Sequence, residues 1–330
     1  MIITRTPLRI SFFGGGTDFP EWFEKNEGSG VISTSINKYN FINIRTLPPF
    51  FKYKHIIRYY RREEVNKISA IKHPSVRECL LDQKIEKGIE IVHHADVPAL
   101  SGLGSSSSFT VGLLNGLYAL KGENITKKEL ANKAIYIERE CIKESVGYQD
   151  QIIAAFGGFN HIKFKSNLDL EVNPIAIGLD QLNSFQSNMF LVFTDFQRNA
   201  SKIEKSKITN LKQNDNYLSR MMEIKDEAYR LISSKNKDFD KFGKMLNEQW
   251  ILKKRLSKKV SNKKLDEIYN FAMSSGAIGG KLLGAGGGGF YIFYVKKNNQ
   301  KFFIEKMKRL LIVPFKFDFT GSQVVYYSHT

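Results

Sequence analysis

The first half of the chain alternates strand-like and helix-like segments. Apolar side chains at every second position predict strands, and apolar side chains three or four positions apart, as from Phe109 to Leu120, predict helices. Glycines end helices well, so the pair Gly157-Gly158 marks the end of a helix. The predicted strands of this half span 41–45, 55–60 and 88–95, and the predicted helices span 106–120, 126–145 and about 150–157.

The second half begins with a predicted strand. After it come a polar stretch, long amphipathic helices and a tail of mixed strands and helix. The polar stretch, 202–216, is interpreted as a surface segment or as the charged start of a helix. This order indicates an α+β protein with two lobes, which we divide into domains 1–175 and 176–330. The predicted helices here span 217–233, 239–256, 262–275 and 300–311, and the predicted strands span 189–193, 290–295, 315–319 and 323–327.

Composition narrows the classes of function. The 330 residues are 42% hydrophobic, but no apolar run approaches the roughly 20 residues needed to span a bilayer. The first residues lack the pattern of a signal peptide, so we expect none. Only Cys79 and Cys141 are present, without the spacing of metal ligands, which argues against a disulfide scaffold and a zinc site. We therefore expect a cytoplasmic protein that does not associate with a membrane.

The net charge of +17 would suit nucleic acid, a membrane surface or an anionic small molecule. Lysines are spread along the whole chain, and only the stretch 52–62 mixes cations with aromatic residues as nucleic-acid-binding segments do. Its alternation indicates an antiparallel strand with one solvated face equally well. No nucleic-acid motif accompanies it, so we expect an anionic small-molecule substrate and no nucleic-acid partner. The wider stretch 50–72 is interpreted as a solvated strand or a partner surface.

The loop 98–108, PALSGLGSSSS, lies between a predicted strand and an amphipathic helix. Glycines let the backbone approach a ligand, and the free N–H groups and positive dipole end of a helix attract phosphate. A flexible capped turn would explain one or two serines, but hardly two glycines with four serines. We therefore predict an anion site here. The Walker A pattern is absent from the chain, which argues against a P-loop NTPase.

Two more segments are rich in glycine. The segment 284–289, GAGGGG, matches G-x-G-x-x-G but precedes a predicted strand and has no acidic residue about 20 positions later, so we reject a dehydrogenase. It is interpreted as a turn next to the active site. In the segment 7–19, a strand with Arg9 runs into three glycines and then presents Thr17 and Asp18. Asp18 could equally cap the next helix in an ordinary turn.

Two carboxylates stand in suggestive places. Glu138 fills a gap in the apolar stripe of Leu130, Ala134 and Cys141. A carboxylate on a stripe that faces the core is costly unless it is paired or coordinated, and a metal ion, an Arg or a Lys would supply the partner. The phosphate loop nearby favours a metal. Asp150, at a predicted helix start, is interpreted either as a helix cap or as a base that accepts the proton of an attacking hydroxyl.

The three motifs, at 7–19, 98–108 and 281–289, together resemble the GHMP kinases, the superfamily of galactokinase, homoserine kinase, mevalonate kinase and phosphomevalonate kinase. Their order and positions match as well, so the resemblance covers essentially the whole chain. It implies an α+β fold of two lobes, in which the N-terminal lobe contains a left-handed βαβ crossover and the C-terminal lobe is ferredoxin-like. ATP and the acceptor would bind in the cleft between the lobes.

The resemblance also implies roles for single residues, with ATP and Mg²⁺ as cofactors. Asp150 matches the aspartate that serves as base in galactokinase-like and mevalonate-kinase-like members. Arg9 matches the cation that keeps this base ionised and steadies the transferring phosphoryl group. Ser106 and Glu138 would hold Mg²⁺. The expected contacts to ATP are Pro98, Ser101, Gly102, Leu103, Gly104, Ser105, Ser106 and Ser107.

The sugar-binding motif departs from that of the galactokinases. The chain has Gly-Gly-Gly-Thr-Asp at 14–18 where those have Gly-Glu-His-Thr-Asp, which removes two sugar contacts and opens space. With the string GGKLLGAGGGG at 279–289, the motif is similar to the D-glycero-D-manno-heptose 7-phosphate kinases, which phosphorylate the anomeric C1 hydroxyl to the 1,7-bisphosphate on the route to GDP-activated heptose. The expected substrate contacts are Gly15, Gly16, Thr17, Asp18, Arg198, Lys202, Lys281, Gly286 and Gly287.

Within this set, Asp18 matches the carboxylate that hydrogen-bonds sugar hydroxyls in galactokinase. Arg198, Lys202 and Lys281 would bind the sugar phosphate, although simple solvation would also explain each lysine in so basic a chain. The leading interpretation is an ATP-dependent sugar kinase that acts on a heptose 7-phosphate. The alternatives are another sugar-1-kinase of the fucose or galactose type, or a non-catalytic sugar sensor on the same fold. The exact sugar and a homodimeric state stay open.

Overall fold

The computed structural model of the chain describes residues 1–26, 28–165, 169–196, 211–235 and 237–328. The strands are β1 Ile2–Phe13, β2 Ser29–Thr46, β3 His55–Arg58, β4 Arg62–Val65, β5 Ile89–Ala95, β6 Phe159–Phe164, β7 Leu170–Pro174, β8 Met189–Phe193, β9 Ala277–Leu282, β10 Phe290–Val295, β11 Ile312–Val313, β12 Phe317–Asp318 and β13 Gln323–Tyr327. The α-helices are α1 Pro20–Phe23, α2 Pro74–Asp82, α3 Ser105–Leu120, α4 Lys127–Tyr136, α5 Gln149–Phe156, α6 Leu179–Ser187, α7 Leu211–Ser233, α8 Phe239–Arg255, α9 Lys263–Ser274 and α10 Gln300–Met307.

Two sheets organise these elements, which confirms the α+β class. The larger sheet has nine strands, with β13-β1-β2-β5-β3-β4 in order and with β12 and β6 also paired to β2 and β7 to β6. The smaller sheet has four strands in the order β11-β8-β10-β9. The domain boundary at 175–176 stays a prediction, and a cut there would separate β12 and β13 from their partner strands.

The extents of some elements differ from the predictions. The predicted strand 88–95 and helix 106–120 are confirmed as β5 and α3, whereas the predicted strand 41–45 is only the end of the 18-residue β2. The predicted helix 126–145 is confirmed up to Cys141 and wrong beyond it. It has a capping box at Thr126, is α-helical to Tyr136 and π-helical over Ile137–Cys141, and Lys143 after it has a φ of 65°.

The first helix after the phosphate loop, α3, packs closely on β1 and β2. A Cβ atom at Gly112 would lie 2.6 Å from Thr6 Oγ1, and one at Gly116 would lie 2.6 Å from Ile44 Cδ1, so only glycine allows this approach. Thr4 Oγ1 also donates to the Gly112 carbonyl oxygen at 3.0 Å. This close packing holds the N-terminus of α3 beside the middle of β1.

Buried apolar side chains form three clusters, each of which combines residues of helices with residues of strands. The basic stretch 50–72 contains the hairpin of β3 and β4; the side chain of Tyr60 in its turn is exposed, and so is that of Phe50, which precedes it. In the part of the chain that the structure describes, no helix combines the length and the apolar character that a membrane span requires.

Candidate active site

The centre of the site is an ion pair between β1 and α5. Arg9 Nε donates to Asp150 Oδ1 and Arg9 Nη2 donates to Asp150 Oδ2, each at 2.8 Å. The Arg9 side chain is 5% exposed and the Asp150 side chain is 24% exposed. Such a bidentate pair fixes both side chains in one orientation. The more open carboxylate of Asp150 still faces solvent, where a small molecule can reach it.

The loop 98–108 folds over this ion pair. Arg9 Nη1 donates to the Gly102 carbonyl oxygen at 2.6 Å, and the Arg9 backbone N–H donates to the Leu103 carbonyl oxygen at 3.0 Å. Gly104 has a φ of 73° at the N-cap of α3, and a Cβ atom there would lie 3.2 Å from Asp150 Oδ2. The N–H groups at the start of α3 therefore open next to the Asp150 carboxylate, an arrangement that suits a phosphate group.

A second row of polar groups supports the loop from the sheet. The buried Asn40 side chain on β2 donates to the Ser105 carbonyl oxygen at 2.9 Å, and its Oδ1 lies 2.9 Å from His93 Nε2 on β5. Burial lowers the pKa of His93 to about 4, so its ring is neutral at pH 7. These contacts fix the first turn of α3 through neutral groups, so they add no charge at its positive dipole end.

Glu138 lies in the π-helical turn and is 1% exposed, as its place on the apolar stripe predicts. Ser107 Oγ donates to Glu138 Oε2 at 2.8 Å and Gln151 Nε2 donates to the same oxygen at 2.5 Å. Burial raises the pKa of Glu138 to about 7, although the hydrogen bonds that the carboxylate accepts, such as that from Ser107, lower it. Among the described residues, Glu138 Oε1 has no hydrogen-bond partner.

This environment fits a divalent cation. A buried carboxylate with one unpartnered oxygen gains from a positive charge, and oxygen ligands are those that Mg²⁺ prefers. No group of three or more His, Cys, Asp or Glu side chains gathers at one place in the described ranges, so Mg²⁺ would also need oxygens from a nucleotide. The structure brings Ser107 into contact with Glu138, while the predicted ligand Ser106 is exposed one position earlier.

The glycine-rich turn after β9 lies against the phosphate loop, backbone to backbone. A Cβ atom at Gly284 would lie 2.6 Å from the Gly102 Cα atom, and one at Gly289 would lie 2.2 Å from the Ser101 carbonyl oxygen. Both positions therefore require glycine. The turn at Gly286 and Gly287, predicted to contact substrate, packs on Val260, whose carbonyl oxygen accepts from the Gly287 N–H at 2.8 Å. A substrate contact of these two glycines stays a prediction.

The segment 14–18 lies at the other side of Asp150. Asp18 is 2% exposed, and its Oδ1 accepts from the Gly16 N–H at 3.0 Å while its Oδ2 accepts from the Gln149 N–H at 3.4 Å. Thr17 Oγ1 donates to the Gly14 carbonyl oxygen at 2.7 Å. Asp18 and Thr17 thus hold the glycine loop in shape and tie it to the start of α5. Their predicted contacts to a sugar stay predictions.

Three cations, Lys281, Arg198 and Lys202, were predicted to bind the sugar phosphate. Lys281 is 3% exposed, and its Nζ donates to the carbonyl oxygens of Ser11 and Phe12 at 2.9 Å each. It therefore joins β9 to the end of β1. Arg198 and Lys202 lie outside the described residues.

Sequence reasoning missed several side chains at the site. Ser11 follows Arg9 by two positions on β1, and Gln149 and Gln151 flank Asp150. The period of two in a strand puts Arg9 and Ser11 on one face, a signal that could have indicated Ser11. Lys253, whose buried Nζ donates to the Leu282 carbonyl oxygen at 2.8 Å, had no such signal, because its partner is a backbone group 29 positions away.

Comparison with known proteins extends this description. The family model of the GHMP kinases N terminal domain matches residues 68–158, and that of the GHMP kinases C terminal matches residues 228–313. The D-glycero-alpha-D-manno-heptose 7-phosphate kinase of Campylobacter jejuni is 32% identical over 297 residues, which cover 86% of each chain. The bifunctional fucokinase/GDP-fucose pyrophosphorylase of Arabidopsis thaliana is 28% identical over 85% of this chain and 28% of its own length.

Among solved structures, that of a D-glycero-D-manno-heptose 1-phosphate kinase from Bacteriodes thetaiotaomicron superposes with a TM-score of 0.81 at 23% identity, over 99% of this chain and 100% of that chain. A Lactococcus lactis galactokinase complexed with galactose superposes with a TM-score of 0.70 at 18% identity, over 98% of this chain and 95% of that chain. At these identities the two structures support the fold alone.

Proposed function

The chain belongs to the GHMP kinase family and is an ATP-dependent sugar kinase, and from this premise we propose that its acceptor is D-glycero-D-manno-heptose 7-phosphate. The phosphoryl group would go to the anomeric C1 hydroxyl and give the 1,7-bisphosphate for GDP-heptose biosynthesis. One observation carries the kinase chemistry: the Arg9–Asp150 ion pair lies directly beside the phosphate loop. The choice of acceptor is supported by the 32% identity to a heptose 7-phosphate kinase and by the three glycines of segment 14–18, which lacks the Glu and His side chains of the galactokinase motif.

Asp150 is the proposed base. Each of its oxygens accepts one hydrogen bond from Arg9, and a carboxylate oxygen can accept a second, so a lone pair remains for the proton of the C1 hydroxyl. As that proton moves to Asp150, the hydroxyl oxygen forms a bond to the γ-phosphorus and the bond from this phosphorus to the β–γ bridging oxygen breaks, which releases ADP. Arg9 orients the base, and from its place beside the phosphate loop it would offset negative charge on the transferring group.

The phosphate loop would hold ATP through backbone N–H groups at the start of α3. The proposed contacts are Pro98, Ser101, Gly102, Leu103, Gly104, Ser105, Ser106 and Ser107. Glu138 with Ser106 would hold Mg²⁺, and Ser107 would orient the carboxylate. When bound, Mg²⁺ offsets the negative charge of the β- and γ-phosphate oxygens.

The acceptor would lie between the phosphate loop and segment 14–18. Gly15, Gly16, Thr17 and Asp18 are its proposed sugar contacts. Arg198, Lys202 and Lys281 are proposed for the 7-phosphate, with Gly286 and Gly287 nearby. The buried ammonium group of Lys281 already donates to two carbonyl oxygens, so a direct contact to the 7-phosphate would compete with the bonds that hold it.

A fucose-type sugar-1-kinase is the second candidate, which the alignment of a fucokinase-containing protein over 85% of this chain favours. Both candidates use the same base and nucleotide site, so they differ only in the acceptor.

The test is a kinase assay with purified protein, ATP, Mg²⁺ and a panel of sugars with and without a terminal phosphate. We expect ADP release with D-glycero-D-manno-heptose 7-phosphate, and a new anomeric phosphate signal by ³¹P NMR. The variant Asp150→Asn is the matched inactive control. ADP release only with fucose, galactose or another unphosphorylated hexose would exclude the heptose phosphate as acceptor. Sugar binding without turnover of any sugar would indicate a sensor.

A further inference from the structure

A small gap opens at Gly15, on the acceptor side of the Arg9–Asp150 pair. Gly15 does not have a positive φ, unlike its neighbours Gly14 and Gly16 with φ of 79° and 102°. A Cβ atom at Gly15 would lie 3.4 Å from Ser11 Oγ and 3.7 Å from Gln149 Nε2, which are ordinary contact distances. Neither the backbone nor steric overlap therefore requires glycine at this position. The missing side chain leaves space between two polar groups.

Both polar groups beside the gap are incompletely paired. Ser11 is 5% exposed, and its Oγ has no hydrogen-bond partner among the described residues. Gln149 Oε1 is also buried without a partner in the described part of the chain. Buried polar atoms normally have partners, and an unpaired one at a site needs an explanation. Here the unpartnered Ser11 Oγ, from β1, and the side-chain amide of Gln149, from α5, whose Nε2 is the atom nearest the gap, lie beside the same space.

We propose that Ser11 and Gln149 bind one hydroxyl group of the sugar acceptor, which enters the gap at Gly15, and that they select acceptors that carry this hydroxyl. The inference rests on the proposed function, because it takes the acceptor of Asp150 to be a sugar. A sugar hydroxyl both donates and accepts hydrogen bonds, so it can donate to Ser11 Oγ and accept from Gln149 Nε2, the amide atom beside the gap. It would give the buried Ser11 Oγ a partner and bind Gln149 with a single group.

This arrangement predicts strong selection. A site that is built to bind a hydroxyl rejects an analogue without it, because the buried groups of the protein are then left unpaired. Gln149 directly precedes Asp150 on α5, so a hydroxyl that it holds also fixes the sugar ring relative to the base. Ser11 and Gln149 therefore serve both as specificity-determining contacts and as positioning groups for the reacting hydroxyl.

The test compares four variants, Ser11→Ala, Gln149→Leu, Gly15→Ala and the control Gly178→Ala, with D-glycero-D-manno-heptose 7-phosphate and each of its monodeoxy analogues. Gly178 also has an ordinary φ, of −63°, and a Cβ atom there would lie 4.0 Å from the nearest atom, Gln181 Oε1. Steady-state ADP release gives kcat and KM for both substrates. Thermal melting shows whether each variant is folded.

We expect Ser11→Ala, Gln149→Leu and Gly15→Ala to raise the KM for the sugar by about tenfold or more, with the KM for ATP unchanged. Gly178→Ala should match the wild type. One monodeoxy analogue should be a poor substrate of the wild type. For this analogue alone, the Ser11 and Gln149 variants should not raise the KM any further. Normal KM values for the sugar in all three folded variants would overturn the inference, and so would equal losses with every analogue.

Failure of the proposed function is recognised separately. If the wild type phosphorylates no sugar, calorimetric titration of D-glycero-D-manno-heptose 7-phosphate replaces the kinetic assay. Binding by the wild type and by Gly178→Ala, with at least tenfold weaker binding by Gly15→Ala, would then support the gap as a sugar site without catalysis. No binding by the wild type, or equal binding by all variants, would overturn the inference together with the proposed function.

Discussion

Replacement of Asp150 by Asn probes the base with the smallest change in shape. Both carboxylate oxygens accept hydrogen bonds from Arg9 at 2.8 Å. In the Asn side chain one oxygen is replaced by an NH₂ group, so a hydrogen-bond donor of Asn would face a hydrogen-bond donor of Arg9. The variant therefore loses one charge-assisted hydrogen bond and the negative charge, while the packing volume stays the same.

The expected loss of stability is small beside the expected loss of catalytic rate, so the two effects can be distinguished. A hydrogen bond to a charged group contributes about 1.5–3 kcal/mol, and we expect the lower end because Asp150 is 24% exposed and water can replace part of the interaction. For a protein of this size such a loss lowers the Tm by a few degrees, so the variant stays folded at 25 °C. Loss of a general base lowers kcat by roughly 10²–10⁴. A large fall in kcat thus cannot come from unfolding.

The assay measures kcat by ADP release and ATP affinity by calorimetry. We expect kcat to fall by about a thousandfold and ATP affinity to stay within a factor of about three, because the phosphates are held by backbone groups. The control is Asp82→Asn, which breaks the remote Lys133–Asp82 ion pair of 3.1 Å and should leave kcat unchanged. A kcat within threefold of the wild type would refute the role of Asp150 as base. An equal loss of ATP affinity and kcat would show instead that Asp150 holds the nucleotide loop through Arg9.

Three further predictions concern the loop, the metal site and a buried histidine. Gly104→Ala should weaken ATP binding and lower kcat together, because its φ is 73° and the new Cβ atom would lie 3.1 Å from Arg9 Cγ; normal values of both would contradict this. Glu138→Gln should raise the Mg²⁺ concentration needed for activity. Burial raises the pKa of Glu138 to about 7, above its unfolded value, so the ionised side chain destabilises the metal-free protein increasingly as pH rises from about 4.5 to 7. The Tm of the wild type should therefore fall relative to that of the Gln variant over this range. Parallel curves of Tm against pH would argue against this expectation. Burial lowers the pKa of His161 to about 4, below its unfolded value, so stability is lost as pH falls from about 6.5 towards 4, and His161→Gln should lose less Tm over that range than the wild type.

Local sequence patterns predicted the parts of the site that depend on local structure. The helix after the phosphate loop follows from its apolar spacing, and the burial of Glu138 follows from its place on the stripe. The roles of Arg9 and Asp150 came from a family resemblance, since 141 positions separate them and no periodicity relates them. The two side chains, on β1 and α5, come into contact only when the chain folds.

Other features depend on contacts that the sequence does not encode locally. The helix capped by Thr126 was predicted to run to 145, but its apolar spacing does not reveal that it ends in a π-helical turn, Ile137–Cys141. Lys281 was predicted to bind the sugar phosphate, with simple solvation as the alternative, yet its buried ammonium group donates to backbone carbonyl oxygens of β1. Such partners belong to the backbone, which has no residue type to recognise in a sequence.

The pairing of β1 with β13 has a consequence for how the protein comes into being. Arg5 on β1 bonds to Gln323 on β13, across 318 positions of sequence. Because β13 is synthesised after β1, the edge of β1 at Ile2 to Arg5 stays open until β13 has been made. Contacts between such distant positions form late and slow the folding of a chain. The strand that carries Arg9 is therefore completed only after β13 has joined it, and before that stage its open edge is a place where a chaperone or another unfinished chain can pair.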